Sequence, residues 1–350
     1  MKQSILTLLW VTIAPVVVAQ TPELPRPLFA DGTPLSFTLT TQLQILNRDR
    51  TKPGFGEKAE KHPALLTMDG PVAPLRLPVS LTVRGNYRRD AANCEFPPLA
   101  LDLPKKKLDG TVFAGQNRLK LVTHCQGEDY IVREYLVYKV YNLLADLSFR
   151  ARLAHITYCD STNKRQGGLH WGILLEDKVD VAKRNHARIS TQRTKAQYTD
   201  SLTMATVGVF EYMIGNTDWS VTYQHNVNVL ADSVKNRLLV VPYDFDYSGI
   251  VGTNYAVPDS HLGIASVRDR LYRGPSYSMT LFNRVFAHFI AQKKAIYALY
   301  EQSTLVDKRY IQMTIQYLDE FYFTIENPRR SLRVFGPNSA QNKVIKGLND

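Results

Sequence analysis

Gly215-Asn216-Thr217-Asp218-Trp219, then His225-Asn226-Val227-Asn228, then the apolar run Leu238-Leu239-Val240-Val241 and Tyr243-Asp244-Phe245-Asp246: this stretch decides how the chain reads. Two acidic clusters and an asparagine-rich turn sit close together, the second just past a run that predicts a buried strand. A strand end holds carboxylates rigidly, which divalent-metal and phosphate chemistry needs. Alternation along that strand would put Asp244 and Asp246 on one face, with Phe245 opposite. Carboxylates that close repel unless a cation or base neutralises them. Asn226 and Asn228 offer neutral oxygen ligands of the kind magnesium or calcium accepts. Asp218 can take a proton from a hydroxyl, bind a metal, or only cap backbone groups in its turn. His225 can also ligate, although one His beside an Asn is more often a hydrogen-bonding loop residue.

Outward from this stretch, strand patterns precede helix patterns. Phe37–Ile45 alternates with period two, and Leu75–Val83, Leu99–Leu103 and Arg118–Val122 are further expected strands. Gly127–Leu147 is an expected helix with Ile131, Tyr135, Leu136, Val140, Leu143, Leu144 and Leu147 on one face. Ala154–Tyr158 and Trp171–Leu175 read as strands joined by a Gly167-Gly168 loop. Residues 200–214 read as a helix, and Leu230–Tyr243 as a hairpin turning at Asp232–Asn236. Met279–Tyr300 and Asp307–Thr324 read as helices, with Pro328 closing that region. The segment 253–275, with Tyr255, Arg268, Arg270, Tyr272 and Arg273, is expected as a packed loop, the alternative being an acceptor or anion site. Strands with one helix, then mostly helices, predicts two lobes with a cleft between them.

The 350 residues, 44% of them hydrophobic, suffice for a sizeable core in one large domain or two lobes. The net charge of +11 is scattered over Arg84, Arg88, Arg89, Lys105–Lys107, Lys183, Arg184, Arg329 and Arg330. Without a basic block or nucleic-acid motif, a solvated surface is expected and no nucleic-acid partner. Attraction to anionic envelope surfaces or phosphorylated substrates is the alternative. Lys2, the apolar stretch Ile5–Val18 and Val17-Val18-Ala19 predict a signal peptide over residues 1–19, cleaved before Gln20. The expectation is export to the periplasm or the extracellular space, with no stable transmembrane anchor after cleavage. Proline-rich residues 20–34 read as a linker, 35–185 as a β-rich N-terminal lobe and 186–350 as a mainly helical C-terminal lobe. Of the three cysteines, Cys94 and Cys125 lie in or beside expected strands and are the expected disulfide pair, although spacing does not prove it. No Cys/His spacing predicts structural zinc.

At this point the chain resembles the spore-coat protein H (CotH) kinase-like family over roughly residues 80–250. The resemblance is carried by Arg84-Gly85-Asn86, Lys120-Leu121-Val122 followed by Tyr130-Ile131-Val132-Arg133-Glu134, Gly172-Ile173-Leu174-Leu175-Glu176, and the two aspartate segments quoted above, in that order. It implies an α+β, two-lobed protein-kinase-like fold with a β-rich N-terminal and a mainly helical C-terminal lobe. It implies Asp218 as catalytic base, Asn226 and Asp244 as metal ligands and Asp246 as an additional one. Lys120 would pair with nucleotide phosphates, and Arg133 and Glu176 would support or line that site. The cofactors implied are ATP with Mg2+ or Mn2+, and the partner a protein acceptor. In protein kinases the catalytic-loop Asn follows the Asp by five positions. Position 223 is Tyr here, so the loop must be longer or the metal held differently. Gly54-Phe55-Gly56 begins like a phosphate loop but lacks its third glycine. An exported atypical kinase is the leading expectation. An inactive exported pseudokinase acting as a binding or structural module, and a metal-dependent hydrolase using the same carboxylates, are the alternatives.

Overall fold

The computed structural model describes residues 26–50, 58–70, 73–165, 167–337 and 339. The expected signal peptide, the start of the expected linker and Gly54-Phe55-Gly56 lie outside them. In chain order the elements are α1 (Pro27–Ala30), β1 (Leu35–Thr41), α2 (Leu43–Arg48), β2 (His62–Met68), β3 (Leu75–Val83), β4 (Leu99–Asp102) and β5 (Arg118–Val122). There follow α3 (Glu128–Leu144), β6 (Ala151–Asp160), β7 (Leu169–Leu175), α4 (Lys178–Arg184), β8 (Ala187–Ile189) and α5 (Ser201–Ile214). The chain continues with β9 (Val227–Asp232), β10 (Leu238–Pro242), α6 (Met279–Glu301), α7 (Lys308–Ile325) and α8 (Pro328–Phe335).

Seven strands close into a barrel in the order β1-β2-β3-β4-β5-β7-β6. This overturns the expected two-lobed protein-kinase-like fold, which requires an open N-terminal sheet. The closing strand is β1. It pairs antiparallel with β2 from Thr38↔Thr67 to Thr41↔Ala64, and parallel with β6 from Leu35↔Ala154 to Thr41↔Asp160. Closure leaves neither edge of β1 with unpaired backbone groups. The strand β2 was absent from the expectation, and without it β1 has no neighbour on that side. Every second residue of β1 and β3 turns inward, so Leu39, Leu66, Leu77, Leu81, Leu101, Leu119 and Ile156 fill the barrel. Burial of such a side chain contributes roughly 1.5–3 kcal/mol. Pro78 is tolerated in β3 because the pairing with β4 begins only at Ser80.

Three local expectations change. The strand read over Phe37–Ile45 stops at Thr41, because Leu43 and Leu46 are buried at helical spacing in α2 and the Leu43 N–H donates to Asp160 (3.0 Å). Pro328 opens α8 instead of ending the helical region; Asn327 caps it by accepting from the Arg329 and Arg330 N–H groups at 3.1 Å each. Residues 26–34 of the expected linker carry α1, with Leu28 fully buried.

The second apolar cluster lies under α3, α5, α6, α7 and α8. The small sheet β10-β9-β8 joins this half. Helix α3 packs on β6 and β7 from one side and on α6 from the other, so most of its circumference is buried, Glu134 included. Two arginines expected on a solvated surface are interior: Arg88 and Arg89 are both under 10% exposed. Cys94 and Cys125 form a disulfide with a Cα–Cα distance of 4.8 Å, joining the segment before β4 to the one before α3. Cys159 is unpaired. Among the described residues, no helix is long and apolar enough to cross a membrane.

Candidate functional site

A cavity of about 320 Å³ opens between the loops that follow β3, α5 and β10. Its lining includes Arg84, Gly85, Asn86, Tyr87 and Arg88 from the first loop, Asp218 and Tyr223–Asn226 from the second, and Tyr243, Asp244, Asp246 and Tyr247 from the third. The bend in the first loop rests on Gly85, at φ +89°, a conformation glycine takes without steric cost.

The second loop begins where α5 ends. Gly215 adopts the left-handed conformation (φ 69°, ψ 39°), and the Asn216 N–H bonds back to the Glu211 carbonyl at 2.8 Å. A Cβ on Gly215 would lie 2.1 Å from the Tyr317 hydroxyl, so no larger residue fits without displacement. The Asp218 N–H donates to Asn216 Oδ1 at 3.0 Å. Ser220 and His225 exchange backbone hydrogen bonds, each 2.9 Å, which folds the intervening residues into a closed turn. That turn returns Asn226 to Asp218, so the longer loop still brings the two together. The Asn226 amide donates to Asp218 Oδ2 at 3.0 Å and to its carbonyl at 2.7 Å. His225 Nε2 lies 3.0 Å from Asp218 Oδ1, and this hydrogen bond to the carboxylate is the main cause of the raised His225 pKa. From below, the buried Arg273 donates to the Thr217 and Trp219 carbonyls.

The third loop departs from the expected strand geometry. Strand β10 ends at Pro242, and Asp244 takes a left-handed φ of 66°. The Tyr243 N–H donates to the Asn226 carbonyl, and the Asp244 N–H to the Tyr138 hydroxyl, each at 2.9 Å. The Asp244 and Asp246 carboxylates nevertheless converge, on Arg88. Its guanidinium lies 3.5 Å from Asp244, 3.3 Å from Asp246 and 3.3 Å from Glu134. Three carboxylates thus share one buried cation. Burial is the leading cause that pushes Glu134 up to about 8 and Asp246 up to about 6, with Arg88 opposing it in both. Asp246 also accepts from the Tyr255 hydroxyl at 2.9 Å.

These oxygens fit a hard divalent ion, because carboxylate charge exceeds the guanidinium charge and Asp244 keeps 39% of its side chain exposed. Asp246, with 9% exposed, is committed to Arg88 and Tyr255. Among the described residues, the triads of metal-ligating groups with donors within 4.8 Å of one another are His124–Glu128–His170 and Asp49–Glu60–His62, not the cavity aspartates. A metal here would rest on one or two protein oxygens plus ligand oxygens, the usual manner of magnesium.

The structure therefore brings Asp218, Asn226, Asp244 and Asp246 to one cavity. Lys120 lies beside it, its ammonium 4.0 Å from the Tyr243 ring centre; burial, aided by Arg84, lowers its pKa to about 7. Arg133 and Glu176 are not brought there. Arg133 faces away, over the Tyr310 ring at 4.3 Å, and donates to the Val251 carbonyl. Glu176 is buried against Arg184 at 3.0 Å and accepts from the Arg150 N–H. The helix residue that reaches the cavity's arginine is Glu134, one position after Arg133. Its only signal was faint: an acid beside an arginine within the otherwise apolar stretch Ile131–Tyr138. Arg88 and Tyr138 were likewise missed as site residues. The segment 253–275 packs as expected through Tyr272 and Arg273, while Tyr255 contributes to the site. No family model matches the chain, and comparison with curated proteins finds no match.

Proposed function

We propose that this cavity binds a nucleotide with magnesium or manganese, and that Asp218 assists phosphoryl transfer to the hydroxyl of a protein acceptor. The observation that carries this reading is the convergence of Asp218, Asn226, Asp244 and Arg88 from three loops on one cavity with surplus carboxylate charge. The reading rests on the site alone, since a fold does not fix a function.

Phosphoryl transfer asks little covalent chemistry of a protein and much positioning and charge stabilisation. Asp244 and Asn226 would hold the metal, which when bound neutralises charge on the phosphates. Asn226 and His225 orient the Asp218 carboxylate, which can then accept the acceptor's proton. Arg84 on the wall and Lys120 beside it supply positive charge toward phosphate; a polyanion nearby would restore the Lys120 proton that burial weakens. Tyr87, Tyr247 and Tyr255 stand with ring centres 5.7–5.8 Å apart and give the cavity an aromatic side. Export to an oxidising compartment is part of the proposal, supported by the Cys94–Cys125 disulfide.

Calorimetric titration of the signal-free chain with ATP, with and without magnesium or manganese, tests it. Metal-dependent binding is expected. Absence of binding under both conditions refutes the nucleotide reading, and metal-dependent cleavage without nucleotide replaces it with hydrolysis. Asp218→Asn should keep nucleotide affinity and lose about 10²–10⁴-fold in transfer. Transfer at the wild-type rate removes Asp218 from the mechanism.

A further inference from the structure

We propose a second cation site outside the cavity, in which His124, Glu128 and His170 hold a zinc-class divalent ion. The three residues come from different elements: the loop after β5, the first turn of α3 and the start of β7. One ligand atom from each lies within 4.8 Å of the other two, and each side chain is partly exposed, so an ion can enter. Two imidazoles and a carboxylate are the donor set of zinc rather than of magnesium or calcium.

The surroundings point the same way. His170 Nδ1 sits 2.5 Å from one Glu128 oxygen, while the other accepts the Trp171 N–H at 2.8 Å, so the carboxylate is already fixed in orientation. The two imidazole rings stack with centres 3.6 Å apart, so one ring must tilt for both in-plane lone pairs to reach a common ion. His124 Nδ1 is buried with no hydrogen-bond partner among the described residues, and so is the hydroxyl of Tyr158, whose ring centre lies 6.1 Å from each imidazole. The unpartnered His124 nitrogen belongs to one of the three clustered donors, so a cation there would meet a polar group the protein itself leaves unmet. A Cβ on Gly168 would stand 2.4 Å from His170 Nε2, so that glycine leaves the ring its room.

Bound zinc takes the place of the proton between His170 and Glu128, which passes to solvent. Three protein donors leave one position for water. The ion would pin the start of α3 to the barrel rim, next to the Cys94–Cys125 disulfide. It would also reach the cavity indirectly: Thr123, adjacent to His124, accepts from Arg88 at 3.5 Å, and α3 carries Glu134.

The probe is zinc alone, titrated into the metal-free, disulfide-bonded, signal-free chain in competition with a chromophoric chelator. One equivalent should bind, and X-ray absorption of the wild-type complex should show two imidazoles with N/O scatterers near about 2.0 Å. His124→Gln and His170→Gln should each weaken binding by at least about tenfold. Asp244→Asn should leave zinc binding unchanged, and His62→Gln, in the other triad, should do the same. The proposal fails if zinc is not retained, if the wild-type spectrum shows fewer than two imidazoles, or if Asp244→Asn or His62→Gln abolishes binding. Because the spectrum needs no variant, misfolding of a histidine mutant cannot shelter the idea.

Discussion

The barrel interior and the cavity beside it obey opposite rules. Inside the barrel, leucines and valines alternate with outward residues, both edges of every strand are paired, and no ionised group is needed. At the cavity, three carboxylates crowd one guanidinium, and Asn226 and Asp244 take left-handed backbone. The first arrangement is what burial and hydrogen bonding favour. The second runs against both and is held in place by the packed elements around it, α3 among them. Strain and unbalanced charge gathered in one place are characteristic of a site.

The sharpest way to break the contrast is to remove the shared cation. Arg88→Ala leaves Glu134, Asp244 and Asp246 without their counter-charge and should destabilise by about 3–5 kcal/mol at pH 8 in denaturant unfolding. The loss should shrink at pH 5, where Glu134 keeps its proton. A loss independent of pH would mean that Arg88 acts by packing alone. On the barrel side, Leu81→Ala removes a fully buried side chain and should cost about 2–5 kcal/mol, with metal-dependent nucleotide affinity unchanged in the folded protein. If the affinity fell with the stability, the two regions would not be separable.

The same contrast decides what could be read from the amino acids. Regular elements announced themselves: Leu75–Val83 and Arg118–Val122 are strands with the bounds that alternation suggested, and the helices near 200–214 and 279–300 follow from apolar spacing. Closure of the barrel did not, because His62–Met68 has Pro63 near its start and only partial alternation, so β1 lacked a visible partner. At the site, the aspartates stood out because two acidic clusters and an asparagine-rich turn crowd together against apolar sequence. Arg88 and Glu134 did not, since a single charge reads as solvated until the packing of α3 on two sides is known. Arg133 was implied by the family resemblance alone, and its neighbour Glu134 points elsewhere because one residue rotates the side chain by about 100° around the helix. The His124 and His170 rings are 46 positions apart in sequence, and only the β5–β7 pairing brings their segments together.

Acid–base behaviour offers a smaller and cleaner discrimination. Folded Glu134 keeps its proton to about 8 against an ordinary 4.5, so folding takes up a proton between those values. Its contribution is complete below pH 4.5 and declines as pH rises toward 8. Folded Lys120 loses its proton near 7 instead of 10.5, so its burden is present below 7 and is relieved as pH rises to 10.5. Melting temperature followed from pH 4.5 to 10 should therefore fall and then recover. Glu134→Gln should flatten the descent and Lys120→Met the recovery, whereas Leu81→Ala should shift the whole curve down without changing its shape. Unaltered curvature in both cavity variants would show that these groups do not titrate as their burial requires.

The smallest expected change in stability tests the contrast most directly. Asp244 holds φ at 66°, where a Cβ is disfavoured, and its carboxylate adds to charge that Arg88 must already share. Asp244→Gly relieves both, offset in part by the greater freedom glycine gives the unfolded chain. Thermal unfolding should therefore change by no more than about 1 kcal/mol, in either direction. Metal-dependent nucleotide binding should nonetheless fall at least about tenfold, because the most exposed carboxylate around Arg88 is gone. A residue whose removal leaves stability untouched but abolishes binding is held there by function. If magnesium and ATP titrations of Asp244→Gly match those of the parent chain, Asp244 is a loop residue that merely happens to be strained, and the metal must be sought elsewhere on the wall.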